Sequence, residues 1–272
     1  MAVVPAVAAL LAVSGCVGAP RAIASLPARP PRAASLEEVL AAYDRFAQAA
    51  ESLGGAGDLE VRDRRRGEAR RFSMRLLAAR DGRLYLKASV AVVTALEVVC
   101  DGRSFWFQVP SKRKVWTGRA DQRPGTGEVR EPYEALRPAD VVAALLPARL
   151  ELTEGELLAF EADREAFSVL LARPGSAAVT ARQRVWLERE TLRPQGLRTY
   201  DAGGELQVEV RWSDWQEGRP HRVQLARPLD GYEADFDFSK VEPGAPLPEQ
   251  AFRPRTPPDY ELVNVDERPA AR

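Results

Sequence analysis

Asp101-Gly-Arg-Ser-Phe-Trp-Phe-Gln-Val-Pro110 is the stretch on which the reading of the fold turns. Asp-Gly is a hairpin signal, because both residues tolerate the positive φ that a tight turn demands. On either side of it apolar residues alternate: Leu96, Val98 and Cys100 before, Phe105, Phe107 and Val109 after. Pro110 has no amide to give to a ladder and ends the strand, and Val115 and Trp116 begin another. Three antiparallel strands here carry more aromatic surface than a plain sheet needs. They read either as the wall of a cavity or as an ordinary sheet core.

Outward from this hairpin the period is two nearly everywhere. Leu59–Arg65 and Ala69–Ala79 form a hairpin around Arg66-Gly67-Glu68, and Asp81-Gly82 turns the chain into Arg83–Val90. Val90–Thr94 reads as a short turn. Arg119–Arg137 is polar, with Gly and Pro, and reads as a mobile loop. Strands resume at 156–163, 166–172, 182–189, 195–200, 205–216 and 221–226, and the sharpest alternation is at Gly231–Ser239. The total is about a dozen antiparallel strands in a meander.

Two helices accompany them. Ser35–Leu53 begins with a capping box, Ser35 with Glu38, and its stripe Leu36, Val39, Leu40, Tyr43, Phe46, Ala47, Ala50 and Leu53 runs to a stop at Gly54-Gly55. Pro138–Leu146 is shorter, with Pro138 in its first turn and Pro147 at its end. Leu247–Phe252 reads as a helical turn before a Pro-rich tail.

The N-terminus bears on compartment. Met1–Val13 is apolar but too short for a span, which needs about 20 residues, and it is followed by Leu11-Ala-Val-Ser-Gly-Cys16. Small residues before a Cys at the end of such a run resemble a bacterial lipobox, whose Cys is acylated and anchors the mature chain. No Lys or Arg precedes the run, which departs from the usual pattern and points to an upstream start or an atypical signal. The expected organisation is a signal peptide over 1–15, a Pro/Ala-rich tether over 16–34, one domain over 35–255 and an extended tail over 256–272. Val17, where an Asp would favour inner-membrane retention, leans toward the periplasmic face of the outer membrane, with the inner membrane as the alternative.

Composition narrows the classes. Lys+Arg 39 against Asp+Glu 39 leaves no global field for nucleic acid. Two Cys and one His leave no structural zinc site, and no cofactor is expected. Cys100 reads as a small buried hydrophobe.

Taken together, the leading amphipathic helix, the strand meander, the Asp-Gly-x-x-Phe-Trp-Phe-x-x-Pro hairpin, the mid-chain helix ending in Leu-Leu-Pro and the closing Leu-Pro-x-x-x-Phe segment resemble the LolA/LolB-like family of lipoprotein carriers and receptors. The resemblance covers Ser35 to about Phe252. It implies a mainly β (α+β) fold, a strongly bent, incomplete antiparallel β-barrel with helices as a lid over an apolar concavity that holds acyl chains. On that expectation Phe105, Trp106, Phe107, Trp116, Tyr85 and Leu86 line the concavity, Tyr43 and Phe46 belong to the lid, and Cys16 carries the lipid. The expected partners are acyl chains or lipoproteins and the membrane, for a monomer without catalytic chemistry. The chain differs from the family in its polar insertion at 119–137 and its Arg-rich hairpin.

Other readings compete. Arg62, Arg64, Arg65, Arg66, Arg70 and Arg71 form either an anionic-headgroup site or a solvated hairpin tip diluted by Asp63 and Glu68. An enzyme would need a nucleophile near His221, and no recognisable elbow supplies one; Asp235 and Asp237 share a strand face for solubility alone. A structural lipoprotein that uses the sheet as a protein-binding platform is the main alternative.

Overall fold

The computed structural model describes residues 31–124, 131–175 and 178–266, and its main compact unit is Arg32–Arg272. Helix α1 spans Leu36–Ala47. Its capping box is formed: Ser35 Oγ accepts from the Glu38 amide at 3.2 Å, and the Glu38 carboxylate accepts from the Ser35 amide at 2.8 Å. The helix ends six residues before the expected Leu53, and the chain enters strand β1, Ser52–Asp63. Gly54-Gly55 is therefore no helix stop. Both glycines lie inside β1, where a Cβ would sit 2.9 Å from the Ala245 methyl or 2.5 Å from the Phe238 ring.

Strands β2 (Glu68–Ala79), β3 (Arg83–Val90), β4 (Val93–Asp101), β5 (Ser104–Val109) and β6 (Lys114–Arg119) follow as an antiparallel meander. The Asp101 carboxylate accepts from the amides of Arg103 and Ser104 at 2.9 and 2.8 Å, closing the central hairpin. Helix α2, Pro138–Leu145, then leads to a second meander: β7 (Leu157–Ala162), β8 (Ala166–Pro174), β9 (Val179–Glu188), β10 (Pro194–Tyr200), β11 (Leu206–Gln216), β12 (Arg219–Arg227) and β13 (Tyr232–Pro243). Beyond a 3-10 turn at Glu249–Phe252, residues Glu261–Asn264 of the expected tail form β14, which pairs with β6 in parallel.

All fourteen strands form one sheet, in the order β14-β6-β5-β4-β3-β2-β1-β13-β12-β11-β10-β9-β8-β7. Among the described residues the two meanders pair strand to strand only along β1 and β13, with a register shift at Ala56/Gly57. Its ends, β14 and β7, do not pair with each other, so the curved sheet is an incomplete barrel. The apolar side chains of α1, α2 and both meanders make one continuous core. Part of the polar insertion joins it: Pro132–Ala135 is a buried 3-10 turn, contrary to the loop expected there. Its Tyr133 ring stacks on Phe107 at 6.3 Å, and an aromatic plate of that size offsets the cost of ordering the segment.

Candidate functional site

The site is the contact between the two helices and the sheet's inner side. Tyr43, on α1, is completely buried, and Phe46 sets its ring edge-on to Trp212 at 5.0 Å and to Trp215 at 5.3 Å. Trp212 in turn donates its indole N–H to the Ala144 carbonyl of α2 at 2.9 Å. One tryptophan of the second meander thus touches both helices. At the other end of α2 a charged knot fixes it: Arg227 reaches Asp140 at 2.9 Å and Asp230 at 2.7 Å, and Arg137 reaches Asp230 at 2.9 Å. Burial pushes the Asp140 carboxyl up, against the pull of Arg227.

Arg80, in the β2–β3 turn, joins the C-terminal ends of both helices. Its guanidinium donates to the Ala47 carbonyl, to Ala50 O at 2.8 Å and to Pro147 O at 3.1 Å. The last carbonyls of a helix have no partner within it and carry the negative end of its dipole, so a cation there is doubly favoured. One side chain thus bonds the last turn of α1 and the segments that leave both helices.

The residues named from sequence fall into two groups. Leu86, Phe105, Phe107 and Trp116 are buried in the core with Tyr43, and Phe46 is half-buried at its margin. Tyr85 and Trp106 point to the opposite face of the sheet. They floor a separate cleft of about 580 Å³ between β3–β6 and the segment at 250–257. Successive residues on a strand face opposite ways, so Tyr85 and Leu86 cannot share a wall. Cys16 lies outside the described residues. Cys100, on the inner face, is fully buried, and burial pushes its thiol up to about 11.

Two inner hydroxyls, Tyr43 Oη and Tyr232 Oη, are buried with no hydrogen-bond partner among the described residues. Each leaves the closed packing less stable than an apolar ring would, by about 1–3 kcal/mol. Tyr43→Phe is therefore expected to raise the urea midpoint, by about 1 kcal/mol of stability. A fall in the midpoint would mean that the hydroxyl has a partner after all.

The sequence pattern does not flag one feature. The β3–β4 hairpin ends in Val90-Ala-Val-Val93, and Val90, Val92 and Val93 are 57%, 97% and 67% exposed. The available signal is compositional, since a hairpin tip in water favours Gly, Asn and Asp over valine. The Arg-rich tip of β1–β2 is by contrast largely self-neutralised. Arg62 pairs with Glu60, Arg64 with Glu233 at 2.6 Å, Arg70 with Glu131 at 3.2 Å and Arg71 with Asp58 at 2.9 Å.

The groups weighed for catalysis are engaged elsewhere. His221 Nδ1 lies 3.0 Å from the Phe238 carbonyl, and Asp235 is buried beneath Arg222, at 3.0 Å from its Nε. Among the described residues no group of His, Cys, Asp and Glu could hold a metal ion, and no helix is long and apolar enough to cross a membrane.

No protein-family model and no curated protein matches the sequence. Solved structures do match. A LolA superfamily protein from Nitrosomonas europaea aligns at TM-score 0.50 and 16% identity, covering 82% of this chain and 99% of its own. A DUF1329 family protein from Desulfovibrio piger aligns at TM-score 0.50 and 16% identity, covering 80% and 96%. A putative outer membrane lipoprotein-sorting protein domain from Vibrio parahaemolyticus aligns at 0.47 and 14%, covering 79% and 96%. At such identity the likeness is one of architecture: an open, curved sheet around two helices, the LolA/LolB-like fold, is the fold of this chain.

Proposed function

We propose that this chain is a lipid-anchored, periplasm-facing protein that takes up acyl chains, or the acylated ends of lipoproteins, beneath α1 and α2 for delivery to the outer membrane. The observation that carries the reading is the valine tip of β3–β4. Three neighbouring apolar side chains at the end of a hairpin gain free energy when something other than water meets them, and a bilayer or an acyl chain is such a partner. The inner face is mainly apolar, and the helices that pack on it are held at their ends by a few polar contacts that can be exchanged for water. No covalent chemistry is needed. Each methylene moved from water into that interior contributes about 0.8 kcal/mol, and direction comes from the relative affinities of donor and acceptor.

Vesicle sedimentation tests the tip. With Cys16→Ser removing the anchor, the full chain is expected to sediment with phospholipid vesicles, and Val92→Asp to weaken this by at least about tenfold, since it removes apolar area and adds a charge. Equal sedimentation of both would remove the membrane role of the tip. A fluorescent fatty acid should in addition bind with one-to-one stoichiometry. Mass spectrometry of the native protein would test acylation of Cys16.

One observation favours the second reading, a structural lipoprotein that binds proteins. The outer edge of β7 has no partner strand among the described residues, and Leu157 beside it is 49% exposed. Such an edge can accept an extended segment of another chain. A protein that bound no acyl probe yet pulled down an envelope partner through β7 would fit this reading instead.

A further inference from the structure

A notch of about 320 Å³ opens beside α1, between the β9–β10 turn and the β11–β12 hairpin. Its floor is apolar: Phe46, Leu192 and Trp215. Its rim carries Arg32, Arg45 and Arg193, and no carboxylate residue lines it. The chain as a whole has net charge zero, so this imbalance is local. The groove lined by Arg62, Arg64 and Arg211 offers the contrast, because there Glu209, Glu233 and Asp235 line the same walls and take up the charge. Two carboxylates border the notch without lining it: Glu190 takes the Arg32 guanidinium on its carbonyl at 2.9 Å and the Arg32 amide on its carboxylate at 3.3 Å, and Glu188 accepts from the Thr191 hydroxyl. The guanidinium groups of Arg45 and Arg193 have no hydrogen-bond or ion-pair partner among the described residues, and both side chains are exposed.

Arg45 lies in the last turn of α1, where a cation is favoured by the helix dipole. That accounts for one arginine and leaves Arg193, which no carboxylate among the described residues pairs, and the aromatic floor. A free inorganic anion would gain from the arginines but nothing from Phe46 and Trp215. A neutral amphiphile would gain from the floor and leave the arginines idle. A molecule with a negative head and an apolar body uses both, and guanidinium groups suit phosphate because their planar N–H donors match its oxygens.

We infer that this notch is the headgroup site for an anionic phospholipid, with Arg45 and Arg193 on the phosphate and Phe46, Leu192 and Trp215 against the first methylenes. The inference rests on the lipid-handling function proposed for the chain and narrows it to lipids with a net negative head. Phe46 joins the two, since it walls the notch and packs on Trp212 at the edge of the core.

The test uses the full chain with Cys16→Ser, titrated at low salt with lysophosphatidylglycerol and with lysophosphatidylcholine of the same acyl length, both below their micellar concentrations, and followed by tryptophan fluorescence. The anionic lipid is expected to bind at least about tenfold tighter, because the choline cation of the other lipid meets the same two arginines and offsets the attraction of its phosphate. Arg45→Gln with Arg193→Gln should bring the two lipids within about twofold, mainly by weakening the anionic lipid, whose phosphate has no choline cation beside it. Both positions are exposed and unpartnered, so this variant keeps the fold. Equal affinity of the parent for both lipids would overturn the headgroup site and leave acyl-chain binding standing. Binding of neither would overturn both. Displacement of the anionic lipid by an equal concentration of inorganic phosphate would reduce the notch to a plain anion site and overturn the inference.

Discussion

Gly57→Ala is expected to destabilise the chain by about 4–5 kcal/mol or more, the range reached only when a substitution collides with fixed structure. A Cβ at this position would lie 2.0 Å from the Asp237 carbonyl oxygen and 2.9 Å from the Phe238 Cα. Those are backbone atoms of β13, so no side chain can swing away to make room. The place matters as much as the distance. β1 and β13 are the one pair through which the two meanders join, and the register shifts at Ala56/Gly57 in that seam. A strand forced outward there would separate the halves of the sheet and open the common core. Since a domain is stable by only about 5–15 kcal/mol, the variant should be recovered largely unfolded or aggregated. Gly67→Ala is the matched control. Gly67 sits at φ +69 in the β1–β2 turn with no atom within 4 Å of a new Cβ, so only the left-handed conformation is penalised, at about 1–2 kcal/mol. Urea unfolding distinguishes the two variants, and equal losses would mean that the seam can yield.

The same glycines show what a sequence can and cannot reveal. Gly54-Gly55 follows an amphipathic helix, and locally a helix stop is the natural reading. Their real constraint is the approach of Ala245 and Phe238, which lie far along the chain, and no local pattern encodes that. Strands are legible wherever one face is buried and the other wet: Phe105, Phe107 and Val109 alternate with Trp106 and Gln108, and the structure keeps that alternation. Alternation separates two faces without saying which one is concave. For that reason a reading of residue types alone puts aromatics from both faces, Phe105 and Trp106, on one wall. The buried turn at Pro132–Ala135 is hidden because it is short and set in polar sequence, and only Tyr133 marks it as part of the core. The valine tip is hidden for the opposite reason: its residues suit a strand, and that three of them face solvent follows from where the hairpin ends.

Arg80→Leu is expected to loosen both helices at once. The substitution removes the bonds to Ala47 O, Ala50 O and Pro147 O, and hydrogen bonds from a charged donor contribute about 1.5–3 kcal/mol each where buried. Arg80 is partly exposed, at 26% of its side chain, and the freed carbonyls can find water once the helices lift. A net loss of about 2–4 kcal/mol follows, with the sheet intact because Arg80 lies in a turn and pairs no strand. Cys100 makes the motion measurable. It is fully buried on the inner face, and burial holds its thiol at about 11, against 9.0 for an ordinary cysteine. At pH 8 a hydrated thiol is ionised about a hundredfold more than one held that high, and thiolate is the form that reacts. In the Cys16→Ser background, Arg80→Leu should therefore speed labelling of Cys100 by at least about tenfold, well below the denaturation midpoint and with far-UV dichroism unchanged. An acyl probe should then bind faster, because access to the interior no longer waits for Arg80 to let go. Faster labelling without faster uptake would leave Arg80 a structural clasp and place the acyl site elsewhere. Unchanged labelling would show that Trp212 and the Arg227 knot hold the helices without it.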